Sequence, residues 1–312
     1  MSPAIDSEYE LVELPAMQLF DELGWEVLTA KEEEFGTTGT LGRMAQTEVV
    51  LVPRLRAALE KLNPKQPPEV ITLAVDELVR DRSTKSLVQA NQEVFGLLRD
   101  GLLVSIADRE RGGQKQHRLR LVDWEDPKQN DFLLVNQFKV SGVLYNCIPD
   151  LVGFVNGLPW VVIELKKPGV PAKQGFDGNL TSYKHAQNGV PPLFVYNALL
   201  MVSNGTDSKV GSLTADWERF SEWKRIERED EPRRVSLEVM LRGVCDKGRL
   251  LDLVENFVLF SEHKTGTIKA MAQNHQFLGV NNAIEASMLA HARGSSQGGV
   301  FWHTQGSGKS FS

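Results

Sequence analysis

The stretch IPDLVGFVNGLPWVVIELKKP, residues 148–168, decides how the rest of the chain is read. Period two sends Val161, Ile163 and Leu165 to one face of a strand and Val162, Glu164 and Lys166 to the other. One face is core; the other is a site or a surface. Asn156-Gly157 is a strong hairpin signal, so DLVGFV and PWVVIELK are expected to pair antiparallel. Register then decides whether Asp150 and Glu164 meet. A two-residue loop pairing Val155 with Leu158 would set Asp150 opposite Ile163 and leave Glu164 on the other side of the sheet. The carboxylates converge only if the loop has an odd length, such as Asn156 to Leu158, or if one strand carries a bulge. One or the other is expected.

Converged in that way, two carboxylates and an ammonium suit Mg²⁺ held by oxygens and water, with the backbone carbonyl of Leu165 as a further ligand. Such an ion sharpens a bound water as nucleophile and neutralises charge on a phosphodiester, while Lys166 orients the water or steadies the developing charge. The bland alternative is a Glu-Lys pair on a solvated strand, where lysines also guard against edge pairing. An isolated Glu-x-Lys would favour it. Pro149-Asp150, the hairpin between and the apolar character of both strands favour the metal site.

Outward from the hairpin, the sequence divides into a helical and a strand-rich part. Residues 7–30 open on a Ser-x-x-Glu capping pattern, run at helical spacing to Gly24 and end in the edge-strand candidate WEVLTA. Helical patterns follow over 46–62, ITLAVDELVRDR and SLVQANQEVFGLLRDG. From about residue 117 the period becomes two, in HRLRLVDW, DFLLVNQFKVSG, the hairpin, and LFVYNALLMVSNG. An α/β or α+β layer arrangement is expected. DRERGGQKQHRLRLVDW, 108–124, reads as a solvated loop, and DWERFSEWKRIEREDEPRR, 216–234, as an exposed helix ending in a linker at Pro232. A new unit is expected after that.

The formal net charge of −6 argues against a chain that holds nucleic acid by a general basic field. Cys147 and Cys245 lie far apart without CxxC spacing, so they read as core or incidental thiols and not as a disulfide or zinc framework. No apolar run approaches the ~18 residues of a membrane span and the N-terminus lacks signal-peptide character, so a cytoplasmic protein without membrane partners is expected.

Pro149-Asp150 followed by Glu164-Leu165-Lys166 resembles the PD-(D/E)xK nuclease signature. NGLPWVVIELKKP is similar to its version in the R (restriction and motor) subunit of type I restriction enzymes. SEYELVELPAMQLFDELGW, QFKVSG, the signature, LLMVSNG and FSEWK fall in that family's order, so the resemblance covers most of the chain. It implies a restriction-endonuclease-like mixed α/β sheet flanked by helices over residues 1–235, and the beginning of a RecA-like helicase lobe over 236–312. It also implies Asp150 and Glu164 as metal ligands and Lys166 as the catalytic lysine. The family's Gln-x-x-x-Tyr element is matched by NLTSYK, where Asn179 replaces glutamine and keeps the amide at shorter reach. Tyr183 fits, and Tyr183 and Lys184 are implied to lie on the DNA side. An acidic residue from the first helix can join such a site; Glu8 and Glu10 are the candidates.

HTQGSGKS, 303–310, follows the apolar VFW and ends in Gly-Lys-Ser. In that setting backbone amides at Gly306 and Gly308 cradle phosphates, Lys309 meets the β/γ-phosphates and Ser310 holds Mg²⁺. His303 stands where the strict P-loop has glycine, a position that superfamily 2 helicases relax. NHQFLGVNNAIEA resembles their adenine-reading Q motif, with Gln276 as reader. The resemblance thus implies a piece of a longer chain that cuts double-stranded DNA with Mg²⁺, uses ATP to translocate it, and works with methyltransferase and specificity subunits. Two other readings stay open. One is a helicase or remodelling motor whose N-terminal domain only binds or docks, and a weaker one is a stand-alone nuclease.

Overall fold

Numbered along the chain, the strands are β1 (Glu26–Thr29), β2 (Leu102–Ala107), β3 (Gln114–Leu119), β4 (Phe132–Asn136), β5 (Val140–Ser141), β6 (Asn146–Cys147), β7 (Leu151–Val155), β8 (Leu158–Leu165), β9 (Leu199–Ser203), β10 (Ser208–Gly211), β11 (Val258–His263) and β12 (Gly266–Met271). Six of them form a mixed central sheet in the order β1-β4-β7-β8-β9-β10. The pairs β1/β4 and β8/β9 are parallel and the other pairs antiparallel. The remaining strands make three separate two-stranded ribbons. This computed structural model describes residues 8–108, 112–228, 231–264, 266–295 and 297–300.

Helices α1 (Leu14–Glu22), α2 (Val52–Leu62), α3 (Pro68–Val79), α4 (Leu87–Asp100), α5 (Thr181–Tyr183), α6 (Pro191–Phe194), α7 (Ser236–Cys245), α8 (Lys247–Asn256) and α9 (Asn274–Ala292) complete the described elements, with short 3-10 and π turns between them. The chain is therefore mixed α/β, with a mixed sheet between helices. Every residue of β7 and β8 is buried, so both faces of the hairpin are covered and period two separates two interior environments. On one face Trp25 stands over Gly153, where an added Cβ would lie 3.2 Å from the indole. On the other face the π turn Gly175–Leu180 closes on β8, and a Cβ at Gly175 would lie 3.3 Å from that of Glu164.

The hairpin turn itself has two residues, with Val155 opposite Leu158. Asn156 (φ 52) and Gly157 (φ 78) both take the left-handed region that a two-residue turn of this hand requires. Asn156 is locked there by its own side chain, which donates to the Leu121 carbonyl and to Asn130 and accepts from the Asp131 N–H. Gly157 is held more tightly still: an added Cβ would stand 2.6 Å from Leu51 O and Leu55 N. Gly157→Ala is therefore expected to cost about 2–4 kcal/mol, from left-handed strain plus overlap with backbone that cannot rotate away. The urea midpoint reads this directly; an unchanged midpoint would mean that the turn relaxes freely.

Several expectations need correction. The helix expected over 46–62 begins only at Val52. HRLRLVDW is displaced: β3 covers Gln114–Leu119 and pairs with β2 in its own ribbon, so the supposed solvated loop at 108–124 contains a strand (residues 109–111 lie outside the described set). In LFVYNALLMVSNG the first residues form α6, and the strand starts at Leu199. No long helix spans the described part of 216–234. A single 3-10 turn, Trp217–Arg219, is followed by extended chain. The reason is burial: Phe220 packs on Phe176, Ser221 bridges to Val210, and Trp223 sits against Phe277. Those anchors cost the segment its helical period.

Packing also runs unbroken across the boundary expected at 235. Leu237, Met240, Leu250 and Phe277 belong to the same core as the sheet, and Trp25 Nε1 donates to the Cys245 carbonyl at 2.9 Å. Lys269 of β12 is 1% exposed, with its Nζ on the Asn197 carbonyl and over the Phe95 ring. Both cysteines are buried free thiols. Among the described residues no helix is long and apolar enough to cross a membrane.

Candidate metal centre at the β7–β8 hairpin

The register question is answered by a bulge. Gly153 pairs with Val161 but Phe154 pairs with Pro159, so Trp160 is the extra residue on β8. Beyond it Val152 faces Val162 and Leu151 faces Ile163; one step further Asp150 comes opposite Glu164. The two-residue turn and the convergence of the carboxylates are thus both realised, because the bulge shifts β8 by one.

Glu164 is completely buried. Its Oε2 accepts a hydrogen bond from Asn179 Nδ2 and lies 3.8 Å from Lys166 Nζ. Its Oε1 finds no donor among the described residues. Burial, and then the neighbouring charge of Asp150, push the Glu164 carboxyl well above the ordinary carboxylate range. Asp150 Oδ2 accepts the Leu165 N–H at 2.7 Å. Burial pushes Asp150 up to about 6 against the pull of that N–H and of Lys166, with Glu13 and Glu8 adding to the rise. Lys166 Nζ donates to the Leu165 carbonyl at 2.8 Å, so this carbonyl opens onto the same pocket as the two carboxylates.

The first helix contributes two acids. Ligand oxygens of Glu8, Glu13 and Asp150 lie within 4.8 Å of one another. Glu8 matches the expectation for that helix, but its companion is Glu13; Glu10 is exposed. The cause is the π turn Tyr9–Glu13, whose i→i+5 spacing places residues 8 and 13 on one face where an α-helix would splay them. Glu13 is 5% exposed and Oε2 accepts from Asn136 Nδ2 (2.9 Å) and Gln137 Nε2 (3.2 Å). Gln137 holds a positive φ of 56, and its N–H donates to the Asp150 carbonyl at 2.9 Å. The sequence carries no signal for Glu13, because at a helical period of 3.6 residues 8 and 13 do not share a face.

Of the remaining candidates, Asn179 also donates to Tyr183 Oη at 3.3 Å, and Tyr183 Oη donates to the Ile148 carbonyl at 3.4 Å. Asparagine thus reaches the carboxylate despite its shorter side chain. Lys184 turns elsewhere, to the Leu213 carbonyl at 3.2 Å, and burial lowers its pKa. Gln276 is 8% exposed at the start of α9, and its Oε1 accepts the Gln273 N–H in a capping box. Gly306, Gly308, Lys309 and Ser310 lie outside the described residues.

Asp150 thus has acidic neighbours on two sides, Glu164 across the hairpin and the Glu8–Glu13 pair from the first helix, with the Lys166 ammonium 3.8 Å from Glu164. The fit to a hard divalent cation rests on Glu164 Oε1. A buried carboxylate oxygen without a donor is costly unless a cation meets it. Asp150, Glu164 and the Leu165 carbonyl could hold one, and so could Glu8, Glu13 and Asp150, whose ligand oxygens lie within 4.8 Å of one another.

Comparison with known proteins places this pocket in context. Residues 5–219 match the family described as type I restriction enzyme R protein N terminus, and residues 275–312 match the SWI2/SNF2 ATPase family. The endonuclease subunit of the type I restriction enzyme HindI from Haemophilus influenzae is 39% identical over 96% of this chain and 29% of its own length. A putative type I restriction enzyme endonuclease subunit, MjaIXP, from Methanocaldococcus jannaschii is 28% identical over 97% of this chain and 30% of its own length. The EcoprrI endonuclease subunit from Escherichia coli is 30% identical over 46% of this chain. The chain thus spans less than a third of the length of the first two relatives.

Proposed function

The chain belongs to the family of type I restriction enzyme R protein N termini, and from that premise we propose that it is the nuclease part of an endonuclease subunit, a restriction-endonuclease-like domain that hydrolyses phosphodiesters of double-stranded DNA with Mg²⁺. The observation that carries the proposal is the bulge-aligned set Asp150, Glu164, Leu165 carbonyl and Lys166, with one buried carboxylate oxygen left without a donor. When bound, Mg²⁺ would supply an acidified water and charge neutralisation on the phosphate.

The chain's own residues do the rest. Asp150 and Glu164 present oxygens from adjacent strands, and the Leu165 N–H fixes one Asp150 oxygen. Asn179, backed by Tyr183, fixes Glu164. Lys166 holds its ammonium at the pocket, 3.8 Å from Glu164, where it is placed to orient the attacking water or meet the developing oxyanion. Glu13, clamped by Asn136 and Gln137, closes the acidic end together with Glu8.

The match of residues 275–312 to an ATPase family supports a motor in the same polypeptide, with ATP at Lys309 and Ser310 and translocation feeding DNA to the nuclease. Target choice would then lie with methyltransferase and specificity subunits, consistent with the acidic net charge of this part. The test uses the full-length chain with those subunits on a circular plasmid, comparing native protein with Lys166→Ala. Linearisation is expected to slow about 100-fold with ATP hydrolysis unchanged. Unimpaired cutting by the variant would leave the ammonium a structural charge and remove the nuclease reading.

A further inference from the structure

Seven residues upstream of Asp150 the chain makes a small ribbon whose sequence is hard to explain by folding. β5 and β6 pair Val140 with Cys147 and Ser141 with Asn146, and the Gly142 N–H donates to the Tyr145 carbonyl at 2.9 Å. That leaves Val143-Leu144 as the two-residue tip. Tips of this length favour Gly, Asn and Asp. Here Val143 is 91% exposed, Leu144 65% and Tyr145 60%. Ile148, on the way to Asp150, is 43% exposed. Large apolar side chains grouped in solvent generally mark an interaction surface.

The base of the ribbon, by contrast, is fixed. Val140 and Cys147 are buried. Ser141 donates its N–H to the Gln46 carbonyl and its hydroxyl to Gln46 Oε1, both at 3.0 Å. Gly142 lies so close to the 183–190 segment that an added Cβ would stand 2.4 Å from the Gly189 carbonyl. Tyr183, which backs Asn179 at the metal pocket, donates to the Ile148 carbonyl. The apolar tip is therefore held in a fixed relation to the carboxylates.

We propose that the Val143-Leu144-Tyr145 tip is a wedge that enters a groove of the duplex beside the scissile phosphate and seats between base steps. The inference rests on the nuclease reading. Tyr145 is five residues from Asp150, a reach of at most ~18 Å, or about five base pairs along the axis. A duplex phosphate held over Asp150 would lie within that reach of the tip, so that its groove would be open to the apolar side chains. Apolar side chains are the chemistry by which proteins prise open base steps and hold bent DNA. The ammoniums of Lys166 and the exposed Lys167 flank the path of the backbone.

The test places the photocrosslinking residue p-benzoylphenylalanine at position 143 of the full-length chain in its complex, with linear plasmid DNA as probe and position 103, an exposed leucine on the separate β2–β3 ribbon, as control. DNA adducts from 143 and none from 103 are expected. Adducts to protein instead, no adduct, or equal yields from both positions would overturn the wedge. In parallel, Val143→Ser/Leu144→Ser/Tyr145→Ser should cut about tenfold more slowly at an unchanged Tm; native cutting rates would likewise overturn it. Repeating the crosslink with Asp150→Ala separates the two readings. Adduct kept and cleavage lost supports both, whereas adduct kept and cleavage kept sinks the nuclease reading and the placing beside a scissile phosphate, and leaves only the contact between tip and duplex.

Discussion

Full-length protein carrying Glu164→Gln is expected to cut DNA at least about 10³-fold more slowly than native protein and, in metal-free buffer near pH 8, to unfold at a higher temperature. Both effects have one origin. Glu164 is wholly buried, one oxygen lacks a donor, and its nearest cation, Lys166, stands at 3.8 Å across from a second carboxylate, Asp150. Burial and Asp150 together hold its carboxyl well above the usual range, which is to say that the fold disfavours the charge it carries. Glutamine keeps the shape, still accepts from Asn179 through its carbonyl oxygen, and removes the like-charge contact with Asp150. Replacing a poorly compensated buried charge by a neutral isostere stabilises on the order of 1–3 kcal/mol. On the proposed reading the same change would also remove an anionic metal ligand, and with it much of the electrostatic stabilisation of the transition state. Thermal melting in chelator and plasmid linearisation in Mg²⁺ read the two effects separately. A variant that melts lower and still cuts would show Glu164 to be an ordinary structural acid.

How much of this was legible depends on which physical rule each residue obeys. The alternation in VVIELKK and the Asn156-Gly157 turn follow local chemistry, so the hairpin, its two faces and the need for a register shift could be read directly. The shift's location at Trp160 could not, because a bulge is selected by what packs on both sides of the strand, here Trp124 stacked on the indole of Trp160 and Gly153 under Trp25. Glu13 was hidden for the reason given by its π turn: residue pairs five apart carry no signal at a period of 3.6. Asn179 was legible by position but not by reach, since the gap it bridges is set by Gly175, whose missing Cβ lets the turn settle on β8. Residues 216–228 carry charges that suggest an exposed helix, yet Phe220 and Trp223 are 2% and 1% exposed, and two buried aromatics three apart overrule a solvated period. Lys269 shows the same override at its extreme, a lysine buried over the Phe95 and Phe260 rings with its ammonium on the Asn197 carbonyl. Tertiary burial, which no local pattern announces, governs the misses at residues 216–228 and at Lys269.

On the proposed reading Asp150 would couple stability, protonation and metal binding, with a sign set by its raised carboxyl. Its carboxyl rises from 3.8 in the unfolded chain to about 6 in the fold, burial being the main cause. Between those two values the native state binds the extra proton, so ∂ΔG/∂pH of unfolding is negative there. The contribution is fully present below about pH 4 and is lost as pH rises through 6, on the order of 3 kcal/mol in all. Asp150→Asn has no such proton to lose. The stability of native protein relative to Asp150→Asn is therefore expected to fall by that order between pH 4 and 7.5 in metal-free buffer, as followed by urea denaturation. Millimolar Mg²⁺ should reverse the trend, because a cation binds only the deprotonated native pocket and adds RT ln(1 + [L]/Kd) to stability. Native protein should gain from Mg²⁺ at pH 8 and hardly at pH 5, while Asp150→Asn should be nearly indifferent at both. Parallel pH profiles for the two proteins would mean that the carboxyl is not held up by the fold. An equal Mg²⁺ gain at both pH values would place the cation on other residues, and Asp150, Glu164 and Leu165 would lose their claim to it. On the proposed reading, a bound cation would offset the charge that burial disfavours at Asp150 and Glu164.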